Sequence, residues 1–170
     1  DDRDNAIRFL RIMLRQADRL EAIVADLLTL SRIEKGAEEQ WIELAPDAAI
    51  GYYNRGAIYA QLGEGARALA EYDTAAALDP NDPDIFHYRG LIYVSLGADA
   101  LAIADYTQAI TLDPADAAVY NHRGEAYVHQ GNLNRALVDL NKAIELDATL
   151  ATAYTNRGAI YQATERSNLA

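Results

Sequence analysis

Three histidines, His87, His122 and His129, are the side chains of this sequence best suited to chemistry near neutral pH, where an imidazole can pass a proton or ligate a metal. Their placement supports neither. His122 and His129 stand seven places apart, which on a helix puts them on a similar face about two turns from each other, too far to share one zinc. The chain has no cysteine to complete a site. No nucleophile is arranged with a histidine and an acid in a recognisable motif, and the many carboxylates read as solvated faces. No metal, no cofactor and no enzymatic activity are expected.

A second set of candidates is Arg55, Arg89, Arg123 and Arg157, evenly spaced along the chain. In a row they could form an anion-binding ladder. Glu71, Asp105 and Asp139 follow the first three at one constant distance, so an ion pair between two packed helices is the simpler account. Arg157 has no acid in that place.

The elements that position these residues follow from the same spacing. The string Tyr52-Tyr53-Asn54-Arg55-Gly56-Ala57-Ile58-Tyr59 returns in altered form three more times at the interval of the arginines, with helical patterning on both sides of a short turn. A period of about 34 residues marks a helix-turn-helix solenoid, in which each hairpin buries its apolar face against its neighbours. The expected fold is all-α, with full repeats at 49–82, 83–116 and 117–150 and a half repeat over 151–170. Within each, an aromatic stands fourth (Tyr52, Phe86, Tyr120, Tyr154), glycine eighth and tyrosine eleventh, all on one helix face. Mid-helix glycine lets the second helix approach closely. Gly63, Gly97 and Gly131 make the turn in the left-handed conformation that ends a helix. The second helix supplies alanine, a large residue and alanine again: Ala68, Tyr72, Ala75; Ala102, Tyr106, Ala109; Ala136, Leu140, Ala143. Pro80 and Pro114 are expected to terminate it, and Asp82-Pro83 to open the next helix. The 11 tyrosines are expected to serve as core.

These positions resemble the tetratricopeptide repeat family over residues 49–163. The pattern departs from it at Ala148, where a terminating proline is usual, at Gly65 and Asp99, where an aromatic is usual, and at Glu165, where a glycine is expected. The last departure implies that the fourth unit stops after its first helix. In that family the first helices line a concave groove that holds an extended peptide or a helix. Carried over, the resemblance implies a groove of Tyr53, Ala57 and Gln61, then Asp84, His87, Leu91 and Ser95, then Asn121, Glu125 and His129, then Thr155 and Gln162. Members that grip a C-terminal carboxylate use lysine, asparagine and arginine at places held here by Tyr53, Ala57, Ala118 and His122, so a clamp of that kind is not expected.

Before the repeats, residues 4–35 contain no proline or glycine, and Leu10, Met13, Leu14, Ala17, Leu20, Ile23, Val24, Leu27 and Leu28 recur at spacings of three and four. A long amphipathic helix over residues 1–35 is expected. The run from Ala25 to Gly36, with Phe9-Leu10, Met13-Leu14, Arg19-Leu20 and Ile23-Val24 before it, resembles the second helix of the dimerisation and histidine-phosphotransfer domain of bacterial sensor histidine kinases. That resemblance implies a tendency to self-associate through residues 5–34. Kinase activity does not carry over, because no histidine here is followed by the acid and Thr/Asn-Pro of the phosphoacceptor motif. The stripe could equally fold back on the solenoid. A fusion, natural or engineered, would also explain the change in character near Gly36. Residues 36–48 read as a join that resembles the end of a repeat, with Trp41 either covering the first hairpin or anchoring a partner.

A net charge of −11 disfavours nucleic acid and anionic membrane surfaces as partners. No apolar run reaches the roughly 18 residues of a membrane span, and nothing requires an oxidising compartment, so a cytoplasmic location is expected. The leading expectation is a non-enzymatic scaffold that binds a polypeptide partner. A self-assembling module, oligomerising through the first helix and the last repeat edge, is the alternative.

Overall fold

The computed structural model describes residues 45–168, preceded by Ile7, Phe9, Leu10, Arg11, Met13, Leu14 and Gln16. These seven are helical, and Leu14 is buried while Met13, expected on the same apolar stripe, is exposed. The remainder of the expected first helix, the kinase-like run, the self-association through residues 5–34 and Trp41 lie outside the described residues. The chain divides into two compact units, residues 1–80 and 81–170.

In the first unit, α1 (Ala45–Gln61) and α2 (Gly65–Leu78) form an antiparallel hairpin. Pro46, within the join expected over residues 36–48, is the second residue of α1. The reason is local: a proline in the first turn lacks an N–H that would have had no intrahelical partner anyway. Gly63 takes φ of 74° at the turn, and the amides of Gly63 and Glu64 reach back to the Ala60 and Tyr59 carbonyls at 3.0 and 2.9 Å.

The second unit holds α3 (Pro83–Ser95), α4 (Asp99–Leu112), α5 (Ala117–His129), α6 (Leu133–Leu146) and α7 (Ala151–Asn168). Its main contacts join helices one or two places apart in the chain, as in a stack of hairpins. Asp82 and Asp116 cap α3 and α5, accepting from the amides of Asp84 and Ala118 at 2.9 and 2.8 Å. Helices α2 and α4 end at Leu78 and Leu112, ahead of Pro80 and Pro114 as expected, but the proline is not required. α6 stops at Leu146 just as α4 stops at Leu112, although Ala148 replaces the proline. What the ends share is an aspartate in extended conformation, Asp113 or Asp147, whose carboxylate accepts from the amide two residues on, at 2.9 Å (Ala115) or 2.8 Å (Thr149). The side chain gives that amide an alternative to the carbonyl four residues back that a continued helix would supply. α7 runs through Glu165 without a break.

The cores are built from the alanine, large residue, alanine series. Ala102, Tyr106 and Ala109 pack with Val119 and Ala126, and Ala136, Leu140 and Ala143 pack with Ala153 and Ile160. Tyr72 and Tyr106 are fully buried, but Tyr88, Tyr154 and Tyr161 are exposed, so the tyrosines are not uniformly core. The large residue fills the notch left by glycine in the helix before it. A Cβ on Gly90 would meet the Tyr106 ring at 2.5 Å, and one on Gly124 would meet Leu140 Cγ at 3.1 Å.

The arginines are held inside this architecture. Arg55 donates to Glu71 at 2.6 Å, and Arg89 and Arg123 each make two hydrogen bonds of 2.7 to 2.8 Å to Asp105 and Asp139. Both aspartates are buried. The aromatic three residues before each arginine stacks beneath its guanidinium: Tyr52, Phe86, Tyr120 and Tyr154, at 4.7 to 5.7 Å. Arg123 also reaches Thr107 at 3.1 Å, and Arg157 donates to Asn141 at 2.7 Å. Charges engaged in this way serve the packing of hairpins and leave no row of free guanidiniums.

Candidate peptide-binding groove

Groove positions of the first unit lie on α1. Tyr53 is half-buried, edge-on to Tyr72 with ring centres 5.9 Å apart, while Ala57 is half-buried and Gln61 exposed at the helix end. Tyr53 is thus partly committed to packing.

In the second unit, α3, α5 and α7 carry the remaining positions, and the structure sorts them into two kinds. Asp84, Ser95, His129, Thr155 and Gln162 are open to solvent to differing degrees, and Leu91 and Glu125 are half-buried. His87 and Asn121 are drawn into contacts between successive first helices. His87 Nε2 lies 2.9 Å from His122 Nδ1, and Asn121 accepts from Asn156 Nδ2 at 3.1 Å. Each contact spans 35 residues, one more than the repeat. Asn121 is buried and its side chain joins α5 to α7. Sequence reasoning paired neither His122 with His87 nor Asn156 with Asn121, although adjacent residues at the fifth and sixth places of these helices were the available signal.

Burial governs the histidine pair. His87 is pushed down to about 4, first by desolvation and then by the neighbouring His122, against the opposing pull of Asp116, whose carboxylate lies 4.0 Å away. His122 is lowered by the same desolvation, against the fields of Glu125 and Asp116. Both rings are therefore neutral near pH 7, and one N–H donates to the bare nitrogen of the other. His87 also packs edge-on to Tyr106 at 6.2 Å. The unfolded chain binds a proton at His87 below about 6.5 while the folded one does not. Stability is then fully present above that pH and is lost as pH falls toward 4, by about 2 kcal/mol for this residue after allowance for its partial exposure. His87→Gln is expected to flatten that part of the curve of urea midpoint against pH. Parallel curves for the two proteins would contradict the assignment.

The surroundings of the open candidate positions lean acidic. Asp84 is raised by partial desolvation first and then by the fields of Asp82, Asp116 and Asp113, and His129 sits 3.0 Å from Asp99. Ala118 and neutral His122 stand where a carboxylate clamp would need cations. Among the described residues no three histidine, aspartate or glutamate side chains converge to hold a metal, and no helix is long and apolar enough to cross a membrane. A concavity of about 310 Å³ between α5 and α6 is lined by Arg123, Tyr127, Asn134, Arg135, Val138 and Asp139, none of them groove positions.

A family model of the TPR repeat matches residues 58–97, 90–131 and 124–164. The chain belongs to the tetratricopeptide repeat family. The second TPR domain of human RPAP3, solved in complex with the HSP70 peptide SGPTIEEVD, is 28% identical over 68% of this chain and 98% of its own, with a TM-score of 0.66. The first TPR of Spaghetti (RPAP3), bound to the HSP90 peptide SRMEEVD, is 25% identical over 70% of this chain and 94% of its own, with a TM-score of 0.68. MamA, 20% identical over 79% of this chain and 83% of its own with a TM-score of 0.68, shares the fold. No match is found among curated protein sequences.

Proposed function

We propose that this tetratricopeptide repeat protein is a non-enzymatic scaffold that holds an extended peptide or a helix against its first helices, with Leu91, Glu125 and His129 as principal contacts in the second unit. The observation that carries the reading is that the His87–His122 pair joins α3 to α5 and the Asn121–Asn156 pair joins α5 to α7, while other side chains of these helices stay at least partly open to a ligand. Preorganisation of this kind lowers the ordering cost of binding. Peptide-bound TPR domains of similar fold support the class of partner.

The chemistry of the partner differs from theirs. A groove bearing Asp84 and Glu125, with no lysine or arginine among its positions, favours neutral or basic peptides over acidic tails. Selection of a displayed random peptide library on the full chain is expected to enrich such sequences, and SRMEEVD is expected not to bind. Glu125→Lys should weaken the enriched peptides at least tenfold with an unchanged melting curve. Equal binding to that variant, or enrichment of acidic tails, would place the site elsewhere.

A further inference from the structure

His87 on α3 and His122 on α5 tie together two helices that touch through few residues, whereas α3 packs broadly on α4 and α4 on α5. The two hairpins would thus stay joined if this tie were undone. His87 Nε2 and His122 Nδ1 are 2.9 Å apart, and the Tyr106 ring of α4 lies 6.2 and 6.1 Å from the two imidazoles. Only 12% of the His87 side chain is exposed. The Asp116 carboxylate at the start of α5 stands 4.0 Å from His87 Nδ1, and the fields of Glu125 and Asp116 act on His122. Asp84, one turn before His87 on α3, completes the acidic surroundings together with Asp82 and Asp113. Leu91 stands one turn beyond His87, and Glu125 one turn beyond His122, so the tie sets the separation of two principal groove contacts.

We propose that the histidine pair is an acid-operated latch on the groove: one added proton is tolerated, a second parts α3 from α5, and the bound peptide is released. The inference rests on the groove reading above and adds its control. In the neutral pair one N–H lies between the rings and donates to a bare nitrogen. A first proton has a place at His87 Nδ1, which faces Asp116, and the bond between the rings survives as a charge-assisted one. A second has only the acceptor nitrogen left, His122 Nδ1 when His87 donates. Two N–H groups then point at each other across 2.9 Å, between two like charges held partly out of water. Separation restores water to both rings, which then titrate near the ordinary value of about 6.5. The paired state is accordingly favoured above that pH and loses ground as pH falls toward the value of about 4 that burial imposes on His87.

The chain has no cysteine, so nitroxide labels at Ser95→Cys and Gln130→Cys, exposed positions at the ends of α3 and α5, report the separation of the two helices by double electron–electron resonance. Between about pH 7 and about pH 4.5 the distance is expected to lengthen while the far-UV circular dichroism stays constant. Over the same range a peptide selected from the displayed library should lose affinity about tenfold or more, with log Kd changing by more than one proton per pH unit. In the unlabelled wild-type chain, the Hε1 resonances of His87 and His122 should titrate together over that range. His87→Gln combined with His122→Asn keeps a hydrogen-bonding pair that cannot titrate, and should hold both the distance and the ratio of affinities constant. Equal loss of affinity in that variant would assign the acid response to carboxylates such as Glu125 and overturn the proposal. An unchanged distance, independent titration of the two histidines, or unfolding of the whole unit in place of separation would each overturn it as well. If no peptide is recovered at neutral pH, the groove reading itself fails, and the label distance and histidine titration still decide the latch.

Discussion

Gly90→Leu is expected to lower the stability of the second unit by about 3 kcal/mol or more, a fall in melting temperature on the order of 15 °C for a unit of this size. Even the first carbon of the new side chain would stand 2.5 Å from Tyr106 Cε1, and Tyr106 is fully buried, so its ring cannot swing out without displacing its neighbours. Two companions identify the cause. Gly158→Ala, at the same place in the pattern but with nothing within 4 Å, should raise stability by roughly 0.5–1 kcal/mol through helix propensity. Tyr106→Leu added to Gly90→Leu should recover part of the loss, because leucine is the residue that accompanies Gly124 in the next hairpin. A Gly90→Leu melting curve that matches the wild type would refute the assigned interface.

Asp139→Ala should cost about 2–3 kcal/mol, because it strands the Arg123 guanidinium in a site where only 16% of that side chain is exposed. The bidentate geometry and the burial of Asp139 distinguish this pair from surface contacts such as Lys142 with Glu145, whose loss should be nearly silent. Replacing both partners, Arg123→Met with Asp139→Leu, is expected to restore most of the stability, since the desolvation cost of two charges disappears with them. A double-mutant cycle measured by urea denaturation separates the terms. If the single and double variants are equally unstable, the pair itself contributes nothing and the loss reflects packing. The arginines are then best understood as setting the register between paired helices, with the aromatic beneath each one holding the guanidinium flat.

Contacts inside a hairpin were legible from residue order, since two helices joined by a short glycine turn can meet in one register only. The fixed step from arginine to acid therefore paired Arg55 with Glu71 and its successors with their aspartates, and the even spacing of the arginines announced a stack of such hairpins. The left-handed glycines followed from the same logic. Packing between hairpins was not legible in this way, because the positions that face each other there are offset from the repeat by a single place. His87 meets His122 and Asn121 meets Asn156 at 35 residues, so positions read as one groove separate into those paired between helices and those left at least partly open. Four glycines of identical context also divide into three that are packed and one that is open. Composition and period determined which surfaces this protein makes; only the neighbours present in three dimensions decided which are filled, because burial belongs to a pair of surfaces and not to a sequence position.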